Sequence, residues 1–197
     1  MSTTPLMQKV LGDNWHHLPP VIQRHYQLQD DHLMVTGTMY VNYPKFVWPM
    51  LFITRLMGGL IDMKGNNMSA CVEKWIKADK PDTLFWKRTI HADNGKSTVF
   101  ASRMEYQQGN ELIEFVGFGF GLNLKLTVEN DMLVYRSNGH LWQIGNIKIP
   151  IPDVLFLGHA TIIETALSDH SFDLDFKINH PLFGVTYSYG GVFNLNP

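Results

Sequence analysis

From Leu33 the chain alternates with a period of two. Leu33, Val35, Met39, Val41 and Tyr43 share one face of an extended segment, while Thr36, Thr38 and Asn42 share the other, which predicts a half-buried strand closed by Pro44. The same period resumes after Gly65 and predicts strands over roughly 68–78, 83–92, 97–107, 111–118, 120–129, 132–143, 159–167, 171–179 and 184–194. Two are clean: Phe120, Leu122, Leu124, Leu126 and Val128 against Asn123, Lys125, Thr127 and Glu129, then Phe172, Leu174, Phe176 and Ile178 against Asp173, Asp175 and Lys177. Segment 112–118 is apolar on both sides apart from Glu114, so its outer face is expected to be covered. Short punctuation such as Asp93-Asn94-Gly95 and Asn130-Asp131 forces antiparallel neighbours.

Helical spacing occurs in three places. Thr4 and Pro5 open a short helix that stops at Gly12, and a second follows Pro19-Pro20 as far as about Leu28, with Val21, Ile22 and Tyr26 as its stripe. Between Phe46 and Ile61, Phe46, Met50, Ile53 and Met57 recur every three or four residues, which predicts a helix or helical pair inserted after the first strand. Segment 144–158 breaks the rhythm with Pro150 and Pro152 and reads as a loop, with one helical turn at Val154 to Leu157. About ten antiparallel strands do not stay flat, because twist accumulates until the sheet curls or closes. The expected fold is mainly β, a single domain over 1–197: an antiparallel barrel or strongly curved meander, with a two-sheet sandwich as the alternative. Barrels of this size leave room for one small molecule.

Composition narrows the partners. With 45% hydrophobic and 17% charged residues, the chain can bury a large core, and its 16 basic and 18 acidic residues lack the clustered basic face that nucleic acid requires. The one cysteine, Cys71, cannot form an internal disulfide, and the first thirty residues have no signal-peptide pattern, so a reducing, cytoplasmic setting is expected. The Phe46 to Ile61 segment is too short and too interrupted, by Pro49, Arg55 and Gly58-Gly59, to predict a transmembrane helix.

A few polar residues stand out against this background. Arg88 shares a face with Leu84, Trp86 and Ile90, so an interior position would demand a counter-charge from Glu105, Glu114 or Glu164, or an anionic ligand. Glu164, in line with Ile162 and Ala166, is the leading acid, and His159 nearby could form an acid–base pair with it. The nine histidines are scattered, without a two-histidine motif of metal spacing, and no metal is expected. Gly117-Phe118-Gly119-Phe120-Gly121 is followed by a strand where a dinucleotide loop needs a helix, so it reads as a bend and no cofactor is expected. Cys71 lacks a basic neighbour and no serine sits in a nucleophile elbow. Phe46, Trp48, Met50, Phe52 and Met57 would make an adaptable lid over an apolar ligand, with Trp86, Arg88, Glu114 and Tyr187 as further candidate contacts.

Leu11-Gly12 with Trp15, Leu18-Pro19-Pro20, His25, Trp86-Lys87-Arg88 and Pro181-Leu182-Phe183-Gly184 with Tyr187 and Gly190 together resemble the bacterial family DUF4166, over most of the chain. The resemblance implies no established activity or catalytic residue. Members are found attached to dehydrogenase-like proteins, which implies an accessory role beside such a partner, here between separate chains. The leading expectation is a binder of a small apolar or amphipathic, lipid-like molecule whose acidic head meets Arg88. The alternatives are an isomerase or cyclase working through His159 or Glu164, or the accessory module.

Overall fold

The computed structural model describes residues 4–28, 31–56, 59–153 and 157–195. Eleven strands follow one another: β1 (His32–Asn42), β2 (Gly65–Lys77), β3 (Lys80–His91), β4 (Ser97–Gln108), β5 (Glu111–Phe115), β6 (Phe120–Glu129), β7 (Met132–Ile144), β8 (Ile147–Ile151), β9 (His159–Ala166), β10 (Ser171–His180) and β11 (Gly184–Leu195). Consecutive strands from β1 to β7 pair antiparallel, β7 continues to β9, and β11 returns to β1, so ten strands close into a ring. That ring decides for the barrel over the sandwich. Closure is tight where β11 meets β1: a Cβ on Gly37 would lie 2.2 Å from the Val192 carbonyl oxygen, and Gly191 has φ 156°.

β8 departs from the expected loop. It pairs only with β7, where His140–Ile144 extend past the stretch Leu133–Arg136 that β9 occupies. Pro150 is accommodated because β8 is an edge strand, whose outward side needs no amide hydrogen. Of the expected turn at Val154 to Leu157, residues 154–156 lie outside the described residues. The covered outer face of β5 has a local cause: Ile113 and Phe115 pack with Leu141 in a small second cluster, and the Arg103 guanidinium lies 4.4 Å from the Phe115 ring centroid. A side chain from the neighbouring strand does the covering.

Helices sit at both ends of the barrel. α1 (Leu6–Leu11) packs on β3, β4 and β6, and α2 (Pro20–Tyr26) packs on β9 and β10, which closes the end where β1 begins and β2 finishes. The proline at the start of α2 fits a first turn, where its missing amide hydrogen has no intrahelical partner to lose. At the opposite end, the mouth, the link between β1 and β2 carries α3 (Trp48–Leu56), the predicted insertion. Among the described residues no helix is long and apolar enough to cross a membrane.

Candidate functional site

Near the closed end a polar network is buried in the barrel. α2 presents His25 and Tyr26 inward, and both are buried. Lys74 on β2, with 0% exposure, donates to His25 Nδ1 at 2.9 Å and also to the His25 carbonyl oxygen. Its Nζ lies 4.7 Å from the Tyr26 ring centroid and 4.5 Å from that of Trp86, so two π faces replace much of the water it lost. Tyr26 Oη donates to Glu164 Oε1 at 2.6 Å and contacts the Tyr135 hydroxyl. Burial pushes Glu164 up to about 7, partly offset by the Tyr26 bond and the charges of Lys74 and Arg88. Burial likewise pulls Lys74 and His25 well down. Among the described residues, the acceptor Glu164 Oε2 and the donor Trp86 Nε1 are buried without a hydrogen-bond partner.

Arg88 sits farther toward the mouth and is fully engaged. Its Nη1 donates to Ser102 Oγ at 2.9 Å, Nη2 lies 3.4 Å from Glu114 Oε1, and Ser102 donates to the same carboxylate oxygen at 2.6 Å. The guanidinium is flanked by the Trp86 and Phe100 rings, with centroids 4.7 and 5.2 Å away. Glu114, on the neighbouring side of the barrel, is therefore its counter-charge, and Glu164 belongs to the Tyr26 network.

The mouth holds an apolar cavity. Leu60 and Ile61 from the insertion, with Phe100, Leu122, Phe176 and Ile178 from the barrel, form most of its wall; Glu114, His140 and the hydroxyl-bearing Tyr189 are the polar side chains that reach it from the strands. Its volume is about 70 Å³, against the roughly 10–15 Å³ that one water needs. A small ring or a few carbons of a chain would fit. Beside it, His140 Nδ1 and Asp153 Oδ1 are 2.7 Å apart and both residues are buried, while His159 Nδ1 reaches Asp153 Oδ2 at 2.6 Å from the surface. Burial lowers the His140 pKa, against the opposing pull of Asp153.

The candidate residues from the sequence divide between these places. Glu114 lines the cavity, and Arg88 and Trp86 stand behind it. Tyr187 is buried and donates to the Ile61 carbonyl oxygen at 2.8 Å, pinning the insertion to the barrel wall. His159 and Glu164 are not brought together: five positions apart on β9, they face opposite ways, Glu164 into the core and His159 into solvent. In the insertion, Met50 is half-buried, whereas Phe46 (60%), Trp48 (53%) and Phe52 (44%) are exposed on its outer side. Met57 lies outside the described residues. Lys74, His140 and Asp153 carry much of the buried polar chemistry and were not singled out in the sequence. Lys74 had a readable signal, since it continues the inward series Met68, Ala70, Val72 on β2. Among the described residues no group of three or more histidine, cysteine or carboxylate side chains could hold a metal ion.

No curated protein and no solved structure matches this chain. The family model described as a domain of unknown function, DUF4166, matches residues 18–193, a span that takes in α2, every strand but the last two residues of β11, the Lys74 network and the cavity. The chain belongs to the DUF4166 family.

Proposed function

We propose that the barrel binds a small, largely apolar molecule in the cavity at its mouth. The observation that carries this reading is the character of the wall: apolar and aromatic side chains interrupted by one carboxylate, one imidazole and the hydroxyls of Thr54 and Tyr189, under a helical insertion. Arg88 is occupied by Ser102 and Glu114, so the charged group offered to a ligand is the Glu114 carboxylate, an acceptor, beside the His140 imidazole and the Tyr189 hydroxyl. A hydroxyl or amine therefore suits the polar end of the ligand better than the acidic head that Arg88 alone would suggest. Matched short-chain alcohols, amines and acids can be compared by thermal shift, alongside native mass spectrometry of freshly purified protein. Alcohols or amines should raise the melting temperature more than acids, with about 2.7 kcal/mol of added stability at a hundredfold excess over Kd. A panel that produces no shift, with no bound molecule in the mass spectrum, would overturn the reading.

A second reading, an enzyme of the isomerase or cyclase type, is favoured by the buried His140–Asp153 pair in the cavity wall. Asp153 orients the imidazole, and burial disfavours its cationic form, which suits a general base acting on an apolar substrate. On this reading His140→Gln abolishes turnover while leaving ligand uptake intact. Equal loss of both, or conversion unaffected by the substitution, removes it.

A further inference from the structure

Exposed apolar side chains gather around the mouth, in two groups flanking the cavity. On one side Phe46, Trp48, Phe52, Leu182 (78%) and Phe183 project from the insertion and from the β10–β11 turn, with the Phe46 and Phe183 ring centroids 5.7 Å apart and Trp48 stacked on Phe52. On the other side Phe118 (75%) and the hairpin of β7 and β8 contribute Trp142, Ile144, Ile147 and Ile149, with the Trp142 indole donating to the Phe118 carbonyl oxygen at 2.9 Å. Singly exposed apolar residues need no explanation, but this many on two protrusions at one end do.

The charges are also sorted between the ends. The mouth carries Lys45, Arg55, Lys64, Lys96 and Lys148 against Asp62, Asp93 and the buried Asp153. A cleft of about 480 Å³ runs between the insertion and the β3–β4 turn and is lined by Arg55, Lys64 and Lys96; Asp62, its carboxylate, pairs with Arg55 at 2.6 Å and leaves the two lysines as its unneutralised cations. The closed end has Asp13, Asp31, Asp79, Asp82, Asp131 and Asp169 against Lys9, Arg24, Lys77 and Lys80, with Lys9 paired to Asp82, so the balance there is acidic. A second copy of the chain would set two cation-rich mouths face to face. A surface that is apolar within and anionic at its face complements the mouth on both counts.

We propose that the mouth docks on an anionic phospholipid bilayer, with the aromatic rim entering the boundary between headgroups and acyl chains and the Arg55–Lys64–Lys96 cleft meeting lipid phosphates. The docking draws its purpose from the ligand-binding reading, since an apolar molecule could then pass from bilayer to cavity without crossing water. Its test is independent of that reading. Flotation with phosphatidylcholine vesicles, with and without phosphatidylglycerol, reads the docking directly.

The wild-type chain should float with phosphatidylglycerol-containing vesicles, and less so as salt is raised. The double variant Trp48→Ser/Phe52→Ser should lose roughly tenfold or more in partitioning. Lys96→Gln should lose about fivefold. Met34→Ser/Leu167→Ser, at exposed apolar positions away from the mouth, should float as wild type does. Melting temperatures matching the wild type would show that the variants are folded. Failure to float, indifference to phosphatidylglycerol, flotation unchanged in the rim variant, or a rim-dependent dimer in place of vesicle binding would each overturn the proposal. Protein that floats but takes up no apolar molecule keeps the docking and removes the ligand reading. Protein that takes up ligand in solution yet never floats does the reverse.

Discussion

The two ends of the barrel are built from the same ten strands and spend their polar residues differently. At the closed end Lys74, His25, Tyr26, Tyr135 and Glu164 bond to one another under two helices, with the barrel core around them. At the mouth Glu114 and His140 have partners behind them, Arg88 with Ser102 and Asp153 respectively, and still face an apolar space. Buried charge is costly unless it is paired, so the closed end is tied together by necessity. Polar groups supported from behind can meet a visitor at little further cost. On the proposed reading, stability belongs to one end and recognition to the other.

The largest expected effect breaks the closed end. Lys74→Ala leaves His25, Glu164 and the Tyr26 and Trp86 faces without their cation and should cost about 3–5 kcal/mol, read by chemical denaturation. The double variant Lys74→Met/Glu164→Leu should recover part of that loss, because no charge is then left unpaired. Next in size is a pH effect. Glu164 titrates at about 7 in the folded chain, against its ordinary 4.5. Between those values the unfolded chain has released a proton that the folded chain keeps, so this residue's contribution falls as pH rises through the window.

His25 opposes it. Its lowered folded pKa means that stability is lost as pH falls below 6.5, where the unfolded chain takes up a proton. Glu164→Gln isolates the first contribution: the stability of wild type relative to this variant should drop by on the order of 3 kcal/mol from pH 4.5 to 7. A flat difference would mean that Glu164 is ionised throughout. The smallest effect belongs to the mouth, where Trp48→Ser or Leu182→Ser should change stability by no more than about 0.5 kcal/mol, since those side chains are exposed. A mouth substitution as damaging as Lys74→Ala would erase the distinction between the ends.

Much of the barrel was legible because period two survives in nearly every strand, and because short turns leave few ways to pair them. The misses have particular causes. β8 looked like a loop because prolines exclude a central strand, and nothing in residues 144–158 announces an edge. Arg88 was visibly interior, but its pairing with Glu114 depends on how β3, β4 and β5 lie side by side, and no local pattern carries that register.

His140 was hidden by a bulge. The pairing of β6 with β7 slips between Leu122 and Leu124, where Leu122 faces His140 and Leu124 faces Ser137. One extra residue there, beside Gly139 at φ 98°, reverses the alternation, so His140 follows Tyr135 to the inner face despite an odd spacing. Lys74 was different, since its place in the inward series of β2 was there to be read.

The central claim is that ligand recognition is confined to the mouth. Methyl-selective NMR during titration with a short-chain alcohol tests it most directly, because apolar residues at both ends carry methyl groups. The account predicts shifts at Leu60, Ile61, Leu122 and Ile178 around the cavity, and none at Val10, Leu11 or Val21 beneath the closed end. Shifts centred on the closed end, or spread evenly over both ends, would contradict it.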